Sequence, residues 1–328
     1  MTSKKRIVSG MRPTGALHLG NFHGALKNWI DMQDRFDCFF FIADWHALTS
    51  DYENTAHIKE FSRKMMIDWL GAGLSPDKST LFVQSQVKYH AELFLLLSMI
   101  TPVPWLERNP TYKEQISELK NKDLSTFGFL GYPILQAADI IIYKAEGVPV
   151  GIDQAPHIEI TREIARRFNY FYGHVFPEPE TILTESAKIL GTDRRKMSKS
   201  YDNAIFLSDA PDAIRKKVAT MITDPQRKKR TDPGDPDVCN VFSFHKTYSQ
   251  EDMIAEVNRD CRSAAIGCVE CKQKMAENLI AALAPIREKT EYYQQHPDIV
   301  DEIIANGNKK ASAEAGKTLE VVREAIKI

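Results

Sequence analysis

The sequence predicts an α/β protein with a Rossmann-type, doubly wound parallel sheet, followed by a second, smaller domain made only of helices. Two observations lead to this prediction. In the first part of the chain, short apolar runs alternate with longer amphipathic stretches, which is the pattern of a layered α/β fold. From about residue 210 onward the apolar residues follow a helical spacing, and no strand-type alternation is left.

Four strands are expected in the first part of the chain. The first, Lys5–Ser9, runs into a loop rich in Gly and Pro, and the second is Asp37–Ala43. That second run, DCFFFIA, is almost continuously apolar, which indicates a strand covered on both faces. Two further short strands are predicted at Leu81–Gln84 and Val148–Gly151. The helices around these strands are predicted to begin near Leu19 and to span 54–70, 89–100 and 153–168.

The remainder of the chain is predicted to be helical. A loop rich in Pro and Gly, residues 231–237, interrupts it. We place the domain boundary near residue 205, which gives a catalytic domain of residues 1–205 and a helical domain of residues 206–328. The last helix is expected to pack back on the first domain. The predicted helices are 211–223, 249–259, 270–291 and 310–326.

Composition excludes several classes of protein. Of the 328 residues, 43% are hydrophobic and 27% are charged, as in an ordinary soluble globular protein. The net charge of −1 means that a nucleic-acid partner would have to meet local basic patches. The N-terminus lacks the apolar stretch of a signal peptide, and runs such as FFFIA and LFLLL are too short to span a bilayer. We therefore expect a cytoplasmic protein without a membrane partner.

The first motif is TGALHLGN, residues 14–21, where the loop after the first strand meets a helix. A helix N-terminus carries free backbone N–H groups and a partial positive charge, so it is a ready site for phosphate. Gly20 lets an adenine ring approach the backbone. The ring N–H of His18 can contact phosphate without a permanent charge, and Thr14 and Asn21 add short polar contacts.

The second motif is KMSKS, residues 196–200. Lys196 and Lys199 supply mobile cations that can follow the charge developing on a departing pyrophosphate. Ser198 and Ser200 add hydrogen bonds. Each motif alone has a plain structural explanation, as a capped turn or as a solvated loop. Their occurrence together, in this order and on these elements, favours a site for the triphosphate of ATP.

The pair of motifs resembles the two signatures of the class I aminoacyl-tRNA synthetases. One residue departs from the commonest form, because Asn21 stands where many members have a second His. The tryptophan and tyrosine enzymes vary at this motif. The resemblance therefore implies a nucleotidyl-transfer domain followed by a helical domain that binds the tRNA anticodon.

Two longer segments narrow the resemblance. Residues 131–144, GYPILQAADIIIYK, and 148–168, VPVGIDQAPHIEITREIARRF, are similar to the bacterial tryptophanyl-tRNA synthetases. This similarity implies that Asp139 accepts the indole N–H of tryptophan. Indole is a hydrogen-bond donor only, and a phenylalanine in the same pocket would leave the acceptor unpaired. From the residue alone, a helix-surface carboxylate paired with Lys144 is the favoured alternative.

The resemblance also implies the other residues of both substrate sites. Beside tryptophan, with Asp139, it places Tyr132, Gln136, Gln154 and His46. At ATP it places Arg12, Pro13, Thr14, His18, Gly20, Asn21, Gly151, Ile152, Asp153, Ile189, Lys196, Met197, Ser198, Lys199 and Ser200, of which His18, Lys196 and Lys199 are catalytic. Gln136 replaces a methionine of the family. Ile152 replaces a Glu, which leaves Asp153 as the one carboxylate for the ribose.

The reaction implied is that of a tryptophan–tRNA ligase. The carboxylate of L-tryptophan attacks the α-phosphorus of ATP, with Mg²⁺ on the phosphates, and a terminal ribose hydroxyl of tRNA(Trp) then attacks the adenylate. Three alternatives stay open: a tyrosyl-tRNA synthetase, a small-molecule adenylyltransferase with the same first motif, and a non-enzymatic RNA- or cluster-binding protein. The complete KMSKS motif argues against the second, and the retained His18, Lys196, Lys199 and Asp139 argue against the third.

Four of the five cysteines follow one another as C-x21-C-x6-C-x2-C. Such clustering indicates a site for zinc or an iron–sulfur cluster, although unligated thiols are an alternative. A subset of the bacterial tryptophanyl-tRNA synthetases is similar here and carries a [4Fe–4S] cluster, so the resemblance favours that cluster over zinc. Cys38 lies alone and is expected in the core. The clustered residues are Cys239, Cys261, Cys268 and Cys271.

The basic run QRKKR, residues 226–230, precedes the cysteines. It is either a solvated loop or a contact for tRNA phosphate, and its place beside the cysteines favours phosphate contact. The resemblance further implies a homodimer in which the tRNA bridges the two subunits.

Overall fold

The computed structural model describes residues 4–109, 112, 124–184 and 189–328, and for Asp153 it describes the backbone alone. Its sheet has five parallel strands in the order β3-β2-β1-β4-β5. This is the Rossmann order without its sixth strand, with the switch point between β1 and β4, so the predicted fold class is confirmed. The strands are β1 Arg6–Met11, β2 Asp37–Ile42, β3 Ser79–Val83, β4 Gly147–Val150 and β5 Glu180–Leu183.

Four of these strands match the predicted ones to within two residues at either end. The fifth, Glu180–Leu183, was not predicted. It is a short edge strand in which Glu180 and Leu183 are exposed and Thr181 and Ile182 are partly buried. It shows no apolar run. An edge strand of this kind is held by its pairing with β4, which no local sequence pattern reports.

The helices lie between and after the strands. The first helix, α1, is formed of Leu19–Asn21, a π-helical stretch Phe22–Leu26, and Lys27–Met32. Among the described residues, no helix is long and apolar enough to cross a membrane. The others are α2 Asp44–Asp51, α3 Ile58–Ala72, α4 Tyr89–Ser98, α5 Val103–Glu107, α6 Phe127–Ile141, α7 Ala155–Tyr172, α8 Pro211–Thr220, α9 Asn240–Tyr248, α10 Glu251–Arg262, α11 Cys268–Gln295 and α12 Pro297–Ile326.

Strand β2 shows why the sheet is buried on both sides. Its side chains alternate, so that Phe40 and Ile42 enter one core cluster and Phe39 and Phe41 enter the other. The first cluster also contains residues of α1, α3, α8 and α11, and the second contains residues of α4, α6 and α7. The nearly continuous apolar run predicted a strand of this kind, and both faces are covered as expected.

The last helix, α12, crosses the β3 edge of the sheet. Its Val300 belongs to the first core cluster and its Leu319 to the second. Near the crossing, Asn308 Oδ1 accepts a hydrogen bond from the backbone N–H of Val83 at 2.9 Å. Gly307 lies directly against the same strand, since a Cβ there would stand 1.8 Å from the carbonyl oxygen of Leu81. The helix thus covers a strand edge that would otherwise be unpaired.

Gly307→Ala should therefore destabilise the protein. Alanine is the better helix former by about 1 kcal/mol, but its methyl group would collide with the strand backbone, and overpacking of this kind costs about 1–3 kcal/mol. Urea unfolding should show a lower midpoint for this variant. Gly316→Ala is the matched control on the same helix, because its Cβ would make ordinary contact, 3.4 Å from the ring of Tyr89. Equal midpoints for the two variants would contradict the packing of α12 described here.

Candidate active site at the carboxyl edge of the sheet

A cavity of about 480 Å³ opens at the carboxyl ends of β1, β2 and β4. This is the edge at which doubly wound sheets bind their ligands, beside the switch point of the strand order. Gly10, Pro149 and residues of α1, α2 and α6 form its walls. The predicted site residues that border it are Arg12, His46, Tyr132, Gln136, Asp139, Gly151 and Gln154.

The first motif caps α1 in an unusual way. The side chain of His18 accepts a hydrogen bond from the backbone N–H of Asn21, and the side chain of Asn21 accepts one from the backbone N–H of His18, both at 3.2 Å. Burial, helped by the nearby charge of Lys199, lowers the pKa of His18 to about 4. His18 is therefore neutral at physiological pH. Its ring lies close to Gly20, where a Cβ would stand 3.0 Å from it, so the glycine makes room for the capping histidine.

Lys199, in the second motif, docks on the first loop. Its Nζ donates to the carbonyl oxygen of Thr14 at 2.5 Å and lies 3.5 Å from the Thr14 hydroxyl. Burial lowers the pKa of Lys199 to about 8, against the opposing charge of the buried Asp68. Lys196, by contrast, is exposed. In this arrangement only one of the two motif lysines contacts the loop of the first motif.

Main-chain hydrogen bonds also join the first motif to the segment that follows the second motif. The N–H of Leu19 donates to the carbonyl of Ile205, and the N–H of Leu207 donates to the carbonyl of Leu17, both at 2.9 Å. Met197 is buried in the core cluster and lies near Gly20, whose Cβ would be 3.4 Å from the Met197 Cβ. Segments far apart in the sequence thus meet at one place, as a shared nucleotide site requires.

Asn203 holds the KMSKS loop in shape. Its Oδ1 accepts from the backbone N–H of Ser198 at 2.8 Å, and its Nδ2 donates to Asp193 at 2.7 Å and to the carbonyl of Lys196 at 3.1 Å. The hydroxyls of Ser198 and Ser200 lie 2.8 Å apart. Behind the loop, Asn240 on α9 donates to the carbonyl of Gly191 at 2.8 Å. The loop is therefore anchored on the helical region of the chain.

Asp139 stands at the centre of a buried polar cluster. It is 0% exposed, which excludes the surface ion pair with Lys144. Its Oδ2 lies 2.7 Å from His46 Nε2, and its Oδ1 lies 2.6 Å from His90 Nδ1. The amide of Gln84 donates to both oxygens, at 2.8 and 2.9 Å. Burial raises the pKa of Asp139, but the hydrogen bonds and charges of the two histidines outweigh it and lower the pKa below its usual range.

A second polar group borders the cavity two turns earlier on α6. The hydroxyl of Tyr132 lies 3.2 Å from His157 Nε2, and His157 Nδ1 lies 3.2 Å from the side-chain amide of Asn109. Burial raises the pKa of Tyr132 to about 12, although the charge of Arg12 opposes the rise. Tyr132 is therefore a neutral hydroxyl at physiological pH. At the cavity mouth, Arg12 donates to the hydroxyl of Ser50 at 3.2 Å.

Several predicted ATP residues lie apart from the cavity. Ile152 is 74% exposed on a short 3₁₀ turn after β4. Ile189 packs against the core cluster and Pro13 is buried. The side chain of Asp153 lies outside the described residues. Gly151, at the end of β4, is the member of this segment that borders the cavity.

The four clustered cysteines are half-buried in the helical region. Burial raises the pKa of Cys271 to about 12, and the charges of Cys239, Cys261 and Cys268 add to the rise. Arg227 Nη1 lies 3.8 Å from the sulfur atoms of both Cys261 and Cys268. Within the part of the chain that the structure describes, no three His, Cys, Asp or Glu side chains are arranged to hold a metal ion. Cys38 is buried in the core, as expected.

The basic run before the cysteines is divided between two roles. Arg227 donates to the carbonyls of Arg230 and Ile266 at 2.9 and 2.8 Å, and Arg230 donates to the carbonyls of Ala264 and Ala265 at 2.9 and 3.0 Å. These arginines stabilise the loop between Cys261 and Cys268. Lys228 and Lys229 are exposed and are the members of the run whose side chains face solvent for a partner.

Sequence reasoning did not single out His90, Gln84, Tyr143, His157 or Asn203. A signal was present for Gln84 alone, because it is a polar residue directly after a buried strand, and strand ends in parallel sheets point to the ligand edge. His90 and Tyr143 lie inside apolar helical runs, where a polar residue is more often part of the core. Their role becomes visible only through the contacts with Asp139.

Comparison with known proteins gives a consistent result. The family model for "tRNA synthetases class I (W and Y)" matches residues 1–284. A tryptophan–tRNA ligase of Thermotoga maritima is 53% identical over 98% of this chain and 99% of its own length. One of Aquifex aeolicus is 46% identical over 98% of this chain and 100% of its own length. The crystal structure of tryptophanyl-tRNA synthetase from Campylobacter jejuni, complexed with ADP and tryptophan, is 34% identical, has a TM-score of 0.91, and matches over 98% of this chain and 100% of its own.

Proposed function

The chain belongs to the class I tRNA synthetases for tryptophan and tyrosine, and from that premise we propose that it is a tryptophan–tRNA ligase. It activates L-tryptophan with ATP and transfers the aminoacyl group to tRNA(Trp). The ligases of Thermotoga maritima and Aquifex aeolicus, aligned over nearly the full chain, support this function. The single structural observation that carries it is the buried, ionised carboxylate of Asp139 at the wall of the cavity.

Tryptophan fits this carboxylate because its indole N–H is a donor without acceptor capacity. The pKa of Asp139 is lowered by its histidine neighbours, so at neutral pH the group accepts hydrogen bonds and donates none. A buried acceptor left unpaired costs about 1–3 kcal/mol, which penalises phenylalanine. The hydroxyl of tyrosine lies at a different distance from the amino-acid backbone than the indole N–H of tryptophan does. The histidine-bound carboxylate is therefore the feature that favours tryptophan over the second amino acid of this family.

The ATP site is proposed where the two motifs meet. Lys199, docked on Thr14, lies where it can turn to the phosphates. The N–H groups of Leu19 and Asn21 at the N-terminus of α1 are already hydrogen-bonded within the protein, so the helix acts on the phosphates through its dipole. His18 acts as a neutral ring and Lys196 as a second, mobile cation. Mg²⁺ would neutralise the phosphate oxygens, as in other phosphoryl and nucleotidyl transfers. The protein's own contribution is positioning and electrostatic stabilisation, and no side-chain nucleophile is needed.

The pH dependence of the reaction should report Lys199. Its pKa is lowered to about 8 by burial, so the free enzyme loses this charge as the pH rises through 8, and kcat/KM for ATP should fall above that pH. The ratio kcat/KM reports groups of the free enzyme. Lys199→Arg should remove this alkaline limb, because a guanidinium stays charged. A flat wild-type profile between about pH 7 and 9.5 would contradict the role given to Lys199.

For the cysteines we propose a [4Fe–4S] cluster, held by Cys239, Cys261, Cys268 and Cys271. Thiols alone make up the donor set, which selects zinc or iron–sulfur centres. The spacing C-x21-C-x6-C-x2-C resembles that of the tryptophanyl-tRNA synthetases with a [4Fe–4S] cluster, and this resemblance favours the cluster over zinc. The group would crosslink the start of α11 with α10 and with the residue before α9, and its role is structural.

Anaerobically purified protein should therefore contain about four irons and four sulfides per chain. Cys268→Ser should lower both contents and the thermal stability of the helical region. Cys38→Ser is the control, since Cys38 lies in the core of the sheet and its replacement should leave the iron content unchanged. Stoichiometric zinc, or an iron content that Cys268→Ser does not change, would refute the cluster.

Two further proposals concern macromolecular partners. A second copy of the chain is proposed to cover an apolar surface on α4, α5 and α6, where Leu95, Met99, Val103 and Phe127 are between 51% and 72% exposed. Exposed apolar residues so close together are typical of an interface. The helical region, residues 206–328, is proposed as the anticodon-binding domain, with Lys228 and Lys229 contacting tRNA phosphates.

Aminoacylation tests the proposed function as a whole. The enzyme should charge a tRNA(Trp) transcript with tryptophan and leave a tRNA(Tyr) transcript uncharged with either amino acid. Charging of tRNA(Tyr) with tyrosine would keep the family and overturn the substrate. The same assay with Lys228 and Lys229 both changed to Ala reports their contribution through the KM for tRNA.

A further inference from the structure

We infer that His90 and Tyr143 are positioning residues for tryptophan selection, and that together they fix the carboxylate of Asp139 as the acceptor for the indole N–H. This inference rests on the proposed function, because it concerns the same pocket. Neither residue is among those that border the cavity. They can act on a ligand only through Asp139. His46 differs from them because it borders the cavity itself.

Two buried hydrogen bonds link Asp139 to His90 and His90 to Tyr143. His90 lies near the start of α4, with its Nδ1 2.6 Å from Asp139 Oδ1 and its Nε2 2.7 Å from the hydroxyl of Tyr143. Tyr143 follows the end of α6, one turn after Asp139. All three side chains are 0% exposed. Both ring nitrogens of His90 are therefore used in hydrogen bonds away from water.

The donor and acceptor roles in these hydrogen bonds follow from the charge of Asp139. A carboxylate whose pKa is lowered is ionised at neutral pH and can only accept, so His90 Nδ1 must carry the proton. Burial, and the nearby charge of Asp139, raise the pKa of Tyr143 well above its usual value, which keeps this hydroxyl protonated. The hydroxyl can donate to Nε2 of a neutral His90 or accept from the Nε2–H of a protonated one. In both forms Tyr143 holds the ring of His90 with its Nδ1–H directed at Asp139.

Two further donors complete the arrangement. His46 Nε2 lies against Oδ2, and the amide of Gln84 donates to both oxygens. With one oxygen held by His90 and the other by His46, the carboxylate cannot rotate. Gln84 Nε2 is one nitrogen shared between the two oxygens, so three donor nitrogens face a carboxylate with about four acceptor positions. A donor from the cavity can take the fourth position. A ligand with an N–H pairs with the remaining acceptor position of Asp139, and a ligand without an N–H leaves that position unpaired.

A purely structural role for His90 is the competing explanation, because its ring also contacts Phe41 and Phe82 with centroids 6.1 Å away. The two explanations differ in what they predict for substrate discrimination. A packing residue affects the amount of folded enzyme. A positioning residue changes the preference between two ligands that differ only in the N–H.

The test measures pyrophosphate exchange with L-tryptophan and with L-3-benzothienylalanine, in which sulfur replaces the indole N–H. The ratio of the two kcat/KM values does not depend on the fraction of folded enzyme. Two variants of similar size are compared. His90→Asn places an amide donor near the Nδ1 position, whereas His90→Gln places it near Nε2 and leaves Asp139 Oδ1 without its donor. Tyr143→Phe keeps the ring and removes the hydroxyl alone.

We expect the wild type to prefer tryptophan by on the order of 10² or more. His90→Gln should lower this preference about tenfold or more, His90→Asn should retain most of it, and Tyr143→Phe should lie between them, with the KM for ATP unchanged in all three. An unaltered preference in His90→Gln and Tyr143→Phe, or equal losses in His90→Gln and His90→Asn, would overturn the inference. A wild type that activates no tryptophan would instead refute the proposed function.

Discussion

Lys199→Ala will lower kcat for adenylate formation by about two to three orders of magnitude and leave the KM for tryptophan nearly unchanged. In the structure Lys199 is docked on Thr14, far from any bond that would hold tryptophan in place. Its charge is needed when negative charge grows on the departing pyrophosphate. Removing one preorganised donor of this kind typically costs about 10²–10³ in kcat, and an effect on kcat rather than KM is the mark of a contact made in the transition state.

Lys64→Ala is the matched control for this measurement. Lys64 lies on α3, close enough for its charge to help lower the pKa of Lys199, but the structure gives it no hydrogen bond to the first loop among the described contacts. Its removal should change kcat by less than about threefold. An unchanged kcat in Lys199→Ala, or equal losses in the two variants, would show that the KMSKS lysine does not act on the leaving group.

Asp139→Asn will lower kcat/KM for tryptophan by on the order of 10² or more, with little effect on the KM for ATP. The amide has the shape of the carboxylate, but it turns one acceptor oxygen into an N–H that faces the donors of His46, His90 and Gln84. Clashing or unpaired buried donors cost about 1–3 kcal/mol each, and the indole N–H loses its charged partner. Pyrophosphate exchange at varied tryptophan concentration measures the loss.

Asp44→Asn is the control for this second prediction. Asp44 lies at the same edge of the sheet, and its Oδ1 accepts from the backbone N–H groups of Trp45 and Ser85 at 3.1 and 3.0 Å, but it does not border the cavity. Its replacement should reduce thermal stability and leave the selection of tryptophan intact. Equal kcat/KM losses for tryptophan in both variants would indicate a general disturbance of this edge and not a loss of indole recognition.

The success of the sequence in predicting the fold has a physical basis. A strand covered on both faces, such as β2, must be apolar at nearly every position, and a long amphipathic helix must repeat its apolar residues with a helical period. Because these requirements are local, they can be recognised in the amino-acid sequence. Strand β5 and helix α9 are short and were not predicted, because they are stabilised by neighbours that lie far away in the sequence.

The candidate site divides in the same way. His18, Gly20, Lys199 and Asp139 were found because each belongs to a segment whose spacing resembles a known family. The hydrogen bonds of His90 and Tyr143 to Asp139 join three separate parts of the chain, and no spacing within one segment contains that information. For Arg227 the sequence pattern pointed to a different contact from the one observed. The basic run favoured contact with phosphate, whereas in the structure Arg227 contacts Cys261 and Cys268.

The most direct test of the central claim is ATP–pyrophosphate exchange by anaerobically purified enzyme, with tryptophan, tyrosine and phenylalanine in parallel. Exchange that depends on tryptophan alone is the expected result, and it would support the ATP site and the indole-binding carboxylate together. Exchange that depends on tyrosine, or the absence of exchange with all three amino acids, would contradict the account of this chain as a tryptophan–tRNA ligase.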